Sequence, residues 1–166
     1  MSGGASSAAY RSIVVPTDFS ETAQRALEFA RGLAMLTGGE LILVHAYFVP
    51  MELQGILMAG PQKVSEMLHL EATERLDALA SEISEGGPKV TWLAVDGVAE
   101  EVIVRCARER SADLIVMGTH GRTGFSHALL GSRAERVLRT AECPVVTVPP
   151  LRNAPGDDSK RRTANE

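Results

Sequence analysis

The feature that most constrains the fold is a regular alternation of short apolar runs with longer stretches of helical periodicity. The runs are rich in β-branched residues and bounded by turn residues, as strands are. Strands are predicted at Ile13–Val15, Leu41–Tyr47, Val90–Val95, Leu114–Met117 and Pro144–Val148. Between them, apolar residues recur at the spacing of amphipathic helices. Strands that alternate with helices throughout a chain predict an α/β fold with a parallel sheet.

The expected topology is a single-domain, doubly wound sheet with right-handed crossovers. A strand order of 3-2-1-4-5 would place the first and fourth strands side by side, where the winding reverses. Ligands of open α/β sheets bind at this switch point, beyond the carboxyl ends of the strands. Asp18 follows the first strand and Gly118 follows the fourth, so both are expected at one site. The predicted fold class is therefore a five-stranded, Rossmann-like parallel sheet.

A glycine-containing loop joins the fourth strand to the last helix within Asp113–Val137. Its glycines are Gly118, Gly121, Gly124 and Gly131. Ser132 and Glu135 have the spacing of a capping box, which predicts a helix from about Arg133. Glycines allow backbone N–H groups to approach an anion, and the helix N-terminus adds positive charge. With Arg122 and Arg133 also present, the loop predicts phosphate binding, and an ordinary βα turn is the alternative.

Composition favours a soluble, globular and cytoplasmic protein with no nucleic-acid or membrane partner. The chain has 166 residues, 45% hydrophobic and 23% charged, and a net charge of −4, whereas general nucleic-acid binders are usually basic. There is no apolar run of about 18 residues, the length of a membrane span. The N-terminus lacks the basic and apolar regions of a secretory signal. Two cysteines are too few for a disulfide framework or a metal cluster.

One domain is expected over residues 11–150, between disordered tails at 1–10 and 151–166. The segment Phe48–Gln62 is apolar but contains prolines and glycines, and a mobile flap, an interface and a packed loop remain alternatives. Ser20 is the predicted N-cap of the first helix, and His69 is predicted to be solvated. The inward helix positions include Val98, Val102 and Cys106 in the third helix, and Ala134, Val137, Leu138 and Ala141 in the fourth.

Three segments together resemble the ATP-binding type of the universal stress protein family. They are IVVPTDFSETAQRAL, the glycines of the loop, and CPVVTVP near the end. In the loop, two residues separate Gly118 from Gly121, and nine residues follow before Gly131-Ser132. The resemblance covers almost the whole chain. It implies an adenine nucleotide alpha hydrolase-like fold, with ATP bound across the carboxyl edge of the sheet.

The resemblance also implies which residues contact the nucleotide. Pro16 and Asp18 match adenine-side residues, and the backbone of Ala46 matches an adenine contact. The expected binding residues are Pro16, Thr17, Asp18, Ala46, Met117, Gly118, His120, Gly121, Arg122, Gly131, Ser132 and Arg133. A Mg²⁺ or Mn²⁺ ion would be held mainly by the phosphates. For Asp18, a turn or capping role before Ser20 is the alternative.

The loop lacks the groups that efficient ATP hydrolysis requires. It carries two histidines and two arginines but no obvious base, and the Walker A pattern is absent. We therefore expect a stress-linked nucleotide sensor without efficient turnover. A weak ATPase and an interaction module with an empty site are alternatives. An adenylating ligase is a further alternative, but PTDFSE stands where such enzymes have a Ser-Gly-Gly-x-Asp-Ser loop.

The fifth strand predicts a homodimer. Pro144–Val148 contains the uncharged run VVTV and would lie at an edge of the sheet. An open apolar edge favours pairing with another strand, and a second copy about a two-fold axis satisfies its backbone groups. Members of the family that this chain resembles commonly dimerise through this strand. The alternative is a monomer whose edge is covered by the tail from Leu151 or by the segment near Met51.

Overall fold

The computed structural model describes residues 10–48, 61–119 and 130–151. Its elements are β1 Ser12–Pro16, α1 Glu21–Thr37, β2 Glu40–Tyr47, α2 Pro61–Ser84, β3 Val90–Asp96, α3 Ala99–Glu109, β4 Leu114–Gly118, α4 Ser132–Thr140 and β5 Val145–Val148. The five strands form one sheet in the order β3-β2-β1-β4-β5, and every pair is parallel. The predicted fold class and strand order are confirmed.

β1 lies at the centre of the sheet. It pairs with β2 from Ser12 opposite Glu40 to Pro16 opposite Val44, and Ile13 pairs with Leu114 of β4 on its other side. The side chains of its three central residues, Ile13, Val14 and Val15, are fully buried. A strand covered on both faces reads as a continuous apolar run, which explains the absence of alternation here. The switch point between β1 and β4 is therefore at the middle of the molecule.

Helices cover both faces of the sheet and create two cores. On one face, α1 and α2 contribute Leu27, Leu76 and other residues to a core that Trp92 also contacts. On the other face, α3 and α4 contribute residues that include Cys106 and Val137. Burial raises the pKa of the Cys106 thiol, as expected for a cysteine that packs in a core.

The caps of α1 agree with the sequence. The Ser20 hydroxyl accepts a hydrogen bond of 3.2 Å from the backbone N–H of Ala23, which confirms it as the N-cap. Gly38 ends the helix with φ of 66°, in the left-handed region that glycine adopts readily. Together these residues fix where α1 begins, immediately after the turn that contains Asp18.

The predicted capping box at Ser132 is wrong, because Gly131 occupies the N-cap position. The backbone N–H of Gly131 donates to the carbonyl of Thr119 at 2.8 Å, and its own carbonyl accepts from Glu135 at 3.0 Å. Because of these backbone hydrogen bonds, the helix begins one residue earlier than the predicted start at Arg133. Ser132 is therefore the first helical residue, and no side chain caps α4.

Two residues predicted to face inward are instead exposed over a large part of their surface. Val98 is 42% exposed because it is the N-cap of α3 and lies outside the helical turn that packs on the sheet. Leu138 is also 42% exposed, since its neighbour Val137 takes the buried position on α4. His69 is exposed as predicted, but its Nδ1 lies 3.0 Å from the hydroxyl of Tyr47.

Several predictions concern residues outside the described part of the chain. These are the two tails, most of the Phe48–Gln62 segment, and His120, Gly121 and Arg122 of the glycine loop. Among the helices that are described, none has the length and apolar character needed to cross a bilayer.

Candidate functional site

The turn between β1 and α1 is fixed by its own side chains and by β2. The backbone N–H of Thr17 donates to the carbonyl of Val44 at 2.8 Å, and the Thr17 hydroxyl accepts from Phe19 at 3.0 Å. The Asp18 carboxylate accepts from the N–H of Ser20 at 3.0 Å. Asp18 therefore has the turn role that the sequence allowed, and its nucleotide contact stays a prediction.

Phe19 holds this turn in an uncommon backbone conformation. Its φ is 62°, in a region that few residues other than glycine adopt. The Phe19 ring lies 4.7 Å from the His45 ring and 3.8 Å from the Arg75 guanidinium carbon, both measured to ring centroids. His45 Nδ1 in turn lies 2.7 Å from the carbonyl oxygen of Thr17. These contacts offset a backbone strain of about 1–3 kcal/mol and keep the Asp18 turn in one place.

Gly118 brings β4 against the start of α1. A Cβ atom on Gly118 would lie 2.8 Å from Cγ2 of Thr22 and 3.2 Å from the Thr22 carbonyl carbon and oxygen. Only glycine fits at this distance without movement of α1 or of the Thr22 side chain. The structure thus brings together the elements that follow β1 and end β4, as the switch-point prediction required. It also gives Gly118 a packing role that needs no ligand.

Met117 and Thr119 flank this contact. The Met117 side chain is buried in the core beneath α3 and α4. The N–H of Thr119 donates to the carbonyl of Val148 at 2.9 Å, and its carbonyl accepts from Gly131. The end of β4 therefore positions both β5 and the first turn of α4.

A cleft of ≈ 540 Å³ opens between the ends of β2 and β3 and the first turns of α3 and α4. Its walls are formed by Ala46, Phe48, Gly97, Val98, Ala99, Glu100, Ser132, Arg133 and Arg136. Three of the predicted binding residues, Ala46, Ser132 and Arg133, thus share one cavity. Pro16, Thr17, Asp18, Met117 and Gly118 do not line it, although they lie at the same carboxyl edge of the sheet. Gly131 is next to Ser132, at the N-cap of α4.

An ion pair crosses the cleft wall between α3 and α4. Nη1 of Arg136 lies 2.6 Å from Oε1 of Glu100, whose side chain is 12% exposed, whereas that of Arg136 is 69% exposed. Burial acts to raise the pKa of the Glu100 carboxyl. Hydrogen bonds from its own backbone N–H and from Arg136, with the charges of Arg136 and Arg133, nevertheless hold that pKa below its usual value.

Glu100 and Arg136 are site residues that the sequence analysis missed. In its own segment, Glu100 indicates only an acidic charge in the first turn of α3, which favours the N-terminus of that helix. Arg136 follows Ser132 by four residues, so helical spacing places both on one face of α4. That spacing was the available signal for Arg136. Nothing in the local sequence indicates that Glu100 contacts it, since the two residues belong to different helices.

The described lining of the cleft suits an anionic ligand. Two arginines and one glutamate give it a formal charge of +1. Ser132 and Arg133, which line it, belong to the first turn of α4, where backbone N–H groups have no intrahelical partner. Among the described residues, no group of three or more His, Cys, Asp or Glu side chains is placed to hold a metal ion. The net positive charge of the described lining and the N-terminus of α4 are the features that favour an anion here.

Comparison with known proteins identifies the family. A family model described as the Universal stress protein family matches residues 9–149. The chain belongs to the universal stress protein family. A relative, universal stress protein MJ0531 of Methanocaldococcus jannaschii, is 37% identical over 140 residues, which span 84% of this chain and 82% of the relative.

Solved structures of universal stress proteins share the fold. The structure of MJ0577, a universal stress protein of the same archaeon, has a TM-score of 0.76 and 33% identity, over 87% of this chain and 99% of that one. A universal stress protein from Archaeoglobus fulgidus in complex with dAMP has a TM-score of 0.61 and 28% identity, over 84% and 98% of the two chains. A universal stress protein in complex with cAMP has a TM-score of 0.56 and 29% identity, over 84% and 96%.

Proposed function

We propose that this universal stress protein binds ATP in the cleft and acts as a nucleotide-dependent regulator of the stress response without efficient turnover. The observation that carries the proposal is the meeting of Ala46, Ser132 and Arg133 in one cavity at the carboxyl edge of the sheet. Its volume of ≈ 540 Å³ falls within the range of about 300–1,000 Å³ that is typical of small-molecule sites. The dAMP and cAMP complexes of relatives support an adenine nucleotide as the ligand.

The proposed binding mode follows the positions of these groups. The backbone of Ala46, near the end of β2, contacts adenine. Ser132, Arg133 and the N–H groups of the first turn of α4 bind the phosphates, as helix N-termini bind anions elsewhere. Asp18 and Gly118 complete the site at the ends of β1 and β4. A Mg²⁺ or Mn²⁺ ion would take its oxygen ligands mainly from the phosphates and water, which is usual for magnesium bound with a nucleotide.

The state of Glu100 supports binding without efficient hydrolysis. It is the carboxylate among the described cleft residues, and a catalytic carboxylate would have to take a proton from the attacking water. The Glu100 carboxylate is instead paired with Arg136, and its pKa is lowered, which weakens it as a base. A weak ATPase is the second candidate, because Glu100 places a carboxylate in the lining of the proposed ATP cleft.

We further propose a cytoplasmic homodimer formed through Pro144–Val148. β5 lies at the edge of the sheet next to β4, and all four of its residues are half-buried in the single chain. Its outer backbone groups face away from β4, so a second copy of β5 is a suitable partner.

The binding proposal is tested by isothermal titration calorimetry with ATP, with and without Mg²⁺. We expect a dissociation constant on the order of 10 μM, equivalent to about 7 kcal/mol. Gly131→Val should abolish binding, because it adds a branched side chain beside the phosphate position. Since the φ of Gly131 is −73°, valine can adopt its backbone conformation, and the fold should survive.

Gly32→Val is the matched control, since a Cβ at Gly32 meets no atom within 4 Å. It should bind ATP like the wild type, and circular dichroism should show both variants folded. Absence of heat from wild-type protein up to millimolar ATP would contradict the proposed function. Unfolding of Gly131→Val, with loss of binding, would instead support a structural role for that glycine.

A further inference from the structure

The two arginines of the cleft lie one helical turn apart on α4 but have different surroundings. The Arg136 guanidinium is paired at 2.6 Å with Glu100, a carboxylate that is largely buried. Arg133 is exposed and lines the same cavity. Within the described part of the chain, no carboxylate lies at ion-pairing distance from Arg133. Glu100 therefore pairs with Arg136 in direct contact, whereas its charge acts on Arg133 only from beyond ion-pairing distance.

We infer that Glu100 divides the roles of these arginines: it fixes Arg136 as part of the cleft wall and leaves Arg133 to read the charge of the phosphate tail. This inference rests on the proposed function and deepens it, because it makes Arg133 the residue that distinguishes ATP from AMP. Glu100 and Arg136 act as positioning residues, which join α3 to α4 and set the direction in which α4 presents its first turn.

Charge compensation explains why the two arginines should differ. A guanidinium that is already bonded to a carboxylate has a partner for its charge and for part of its donor set. It gains little from a phosphate nearby and would lose a good contact by moving. The Arg133 guanidinium keeps its full charge and its planar set of donors, which fits phosphate oxygens closely. Its contribution should increase with the number of phosphates, because the added phosphates of ATP carry more negative charge than the single group of AMP.

Glu100 further limits how strongly the cleft attracts a long phosphate tail. Its carboxylate lowers the formal charge of the described lining from +2 to +1. Replacing it with glutamine removes this negative charge, keeps the shape of the side chain and releases the Arg136 guanidinium. The ATP preference should then increase, since a more positive cleft favours the more negative nucleotide.

The test is calorimetric titration of the full chain with ATP and with AMP. Arg133→Gln should lose about tenfold in ATP affinity, the usual effect of one charged hydrogen bond, and about twofold or less in AMP affinity. Arg136→Gln removes a positive charge that Glu100 already offsets at 2.6 Å, so the ATP-to-AMP ratio should fall by about twofold or less, clearly less than in Arg133→Gln. Glu100→Gln should raise that ratio by roughly threefold or more.

Arg139→Gln is the matched control on the same helix. Arg139 pairs with Glu135 at 2.9 Å outside the cleft, so its loss should leave both nucleotide affinities unchanged. An equal fall in the ATP-to-AMP ratio for Arg133→Gln and Arg136→Gln would overturn the inference, as would a lower ratio in Glu100→Gln.

The failure of the inference can be told apart from the failure of the proposed function. If the wild type binds ATP and AMP but Arg133→Gln leaves the ATP-to-AMP affinity ratio unchanged, only the inference is wrong. If the wild type binds neither nucleotide, both are wrong. Should Arg136→Gln not fold, Glu100→Gln reports on the same ion pair, and its ratio decides the question.

Discussion

Replacing Gly118 with alanine should destabilise the protein, because the added methyl group has no room against α1. The new Cβ would lie 2.8 Å from Cγ2 of Thr22 and 3.2 Å from two backbone atoms of that residue. The Thr22 side chain is buried, and its backbone belongs to α1, so relief requires a shift of the helix start. Overpacking of this kind costs about 1–3 kcal/mol. A glycine-to-alanine change returns about 0.4–1 kcal/mol through the unfolded chain, which leaves a net loss of roughly 1–2 kcal/mol.

Thermal unfolding followed by circular dichroism measures this effect. For a chain of this size the expected fall in Tm is roughly 2–8 °C. The double variant Gly118→Ala with Thr22→Ser removes Cγ2, the atom of the shortest contact, and should recover part of the loss. The backbone contacts at 3.2 Å remain, so recovery should be incomplete. Such non-additivity is the signature of two residues in direct contact.

Gly32→Ala provides the control for this experiment. Gly32 lies within α1 and a Cβ there has open space, so alanine should stabilise the helix by about 0.5–1 kcal/mol. A Gly118→Ala protein with an unchanged or higher Tm would refute the packing role of Gly118. It would then leave ligand contact as the reason for glycine at the end of β4.

Three further predictions concern pH, turnover and assembly. The pKa of Glu100 is lowered in the folded state, so its ionised carboxylate stabilises the fold at pH values above its ordinary pKa of 4.5. This contribution is lost as the pH falls through the pKa of the folded state. Glu100→Gln should therefore make the free energy of unfolding, measured with urea, depend less on pH on the acid side. Phosphate release from ATP should stay far below the kinase range of about 1–100 s⁻¹; release in that range, lost in Asp18→Ala or Ser132→Ala, would contradict the absence of efficient turnover. Light scattering should find a dimer at tens of micromolar wild-type protein and a folded monomer for Val146→Lys or Thr147→Pro, whereas a monomeric wild type, or a dimer unaffected by both changes, would exclude pairing through β5.

The fold could be predicted from the sequence because its main signals are local and its topology follows general rules. Both faces of β1 are covered, so its residues form a continuous apolar run without polar alternation. Such a run can be recognised in the sequence alone. Ser20 and Gly38 mark the ends of α1 with side-chain and backbone properties that act within a few residues. The adjacency of β1 and β4 then follows from right-handed crossovers in a doubly wound sheet.

The failures arose where distant contacts decide a local feature. The Ser132–Glu135 spacing fits a capping box, but the bond from Gly131 to Thr119 places glycine at the N-cap instead. Helical periodicity could not decide between Val137 and its neighbour Leu138 for the buried position. The pair of Glu100 and Arg136 depends on how α3 and α4 pack, and neither residue is unusual in its own segment.

The candidate site was predicted in part. Ala46, Ser132 and Arg133 lie in one cleft, while the predicted contacts of Asp18 and Gly118 compete with turn and packing roles that the structure makes explicit. The ligand roles of His120, Gly121 and Arg122 remain predictions, because these residues lie outside the described chain.

A nuclear magnetic resonance titration of labelled protein with ATP tests the central claim most directly, because it reports on each backbone amide. The account predicts saturable shifts at Ala46, Ser132 and Arg133, with smaller ones at Gly118. Gly38 lies at the opposite, amino edge of the sheet, beside the β2 start, and should not respond. Spectra that do not change at millimolar ATP, or shifts confined to the amino edge, would contradict nucleotide binding in this cleft.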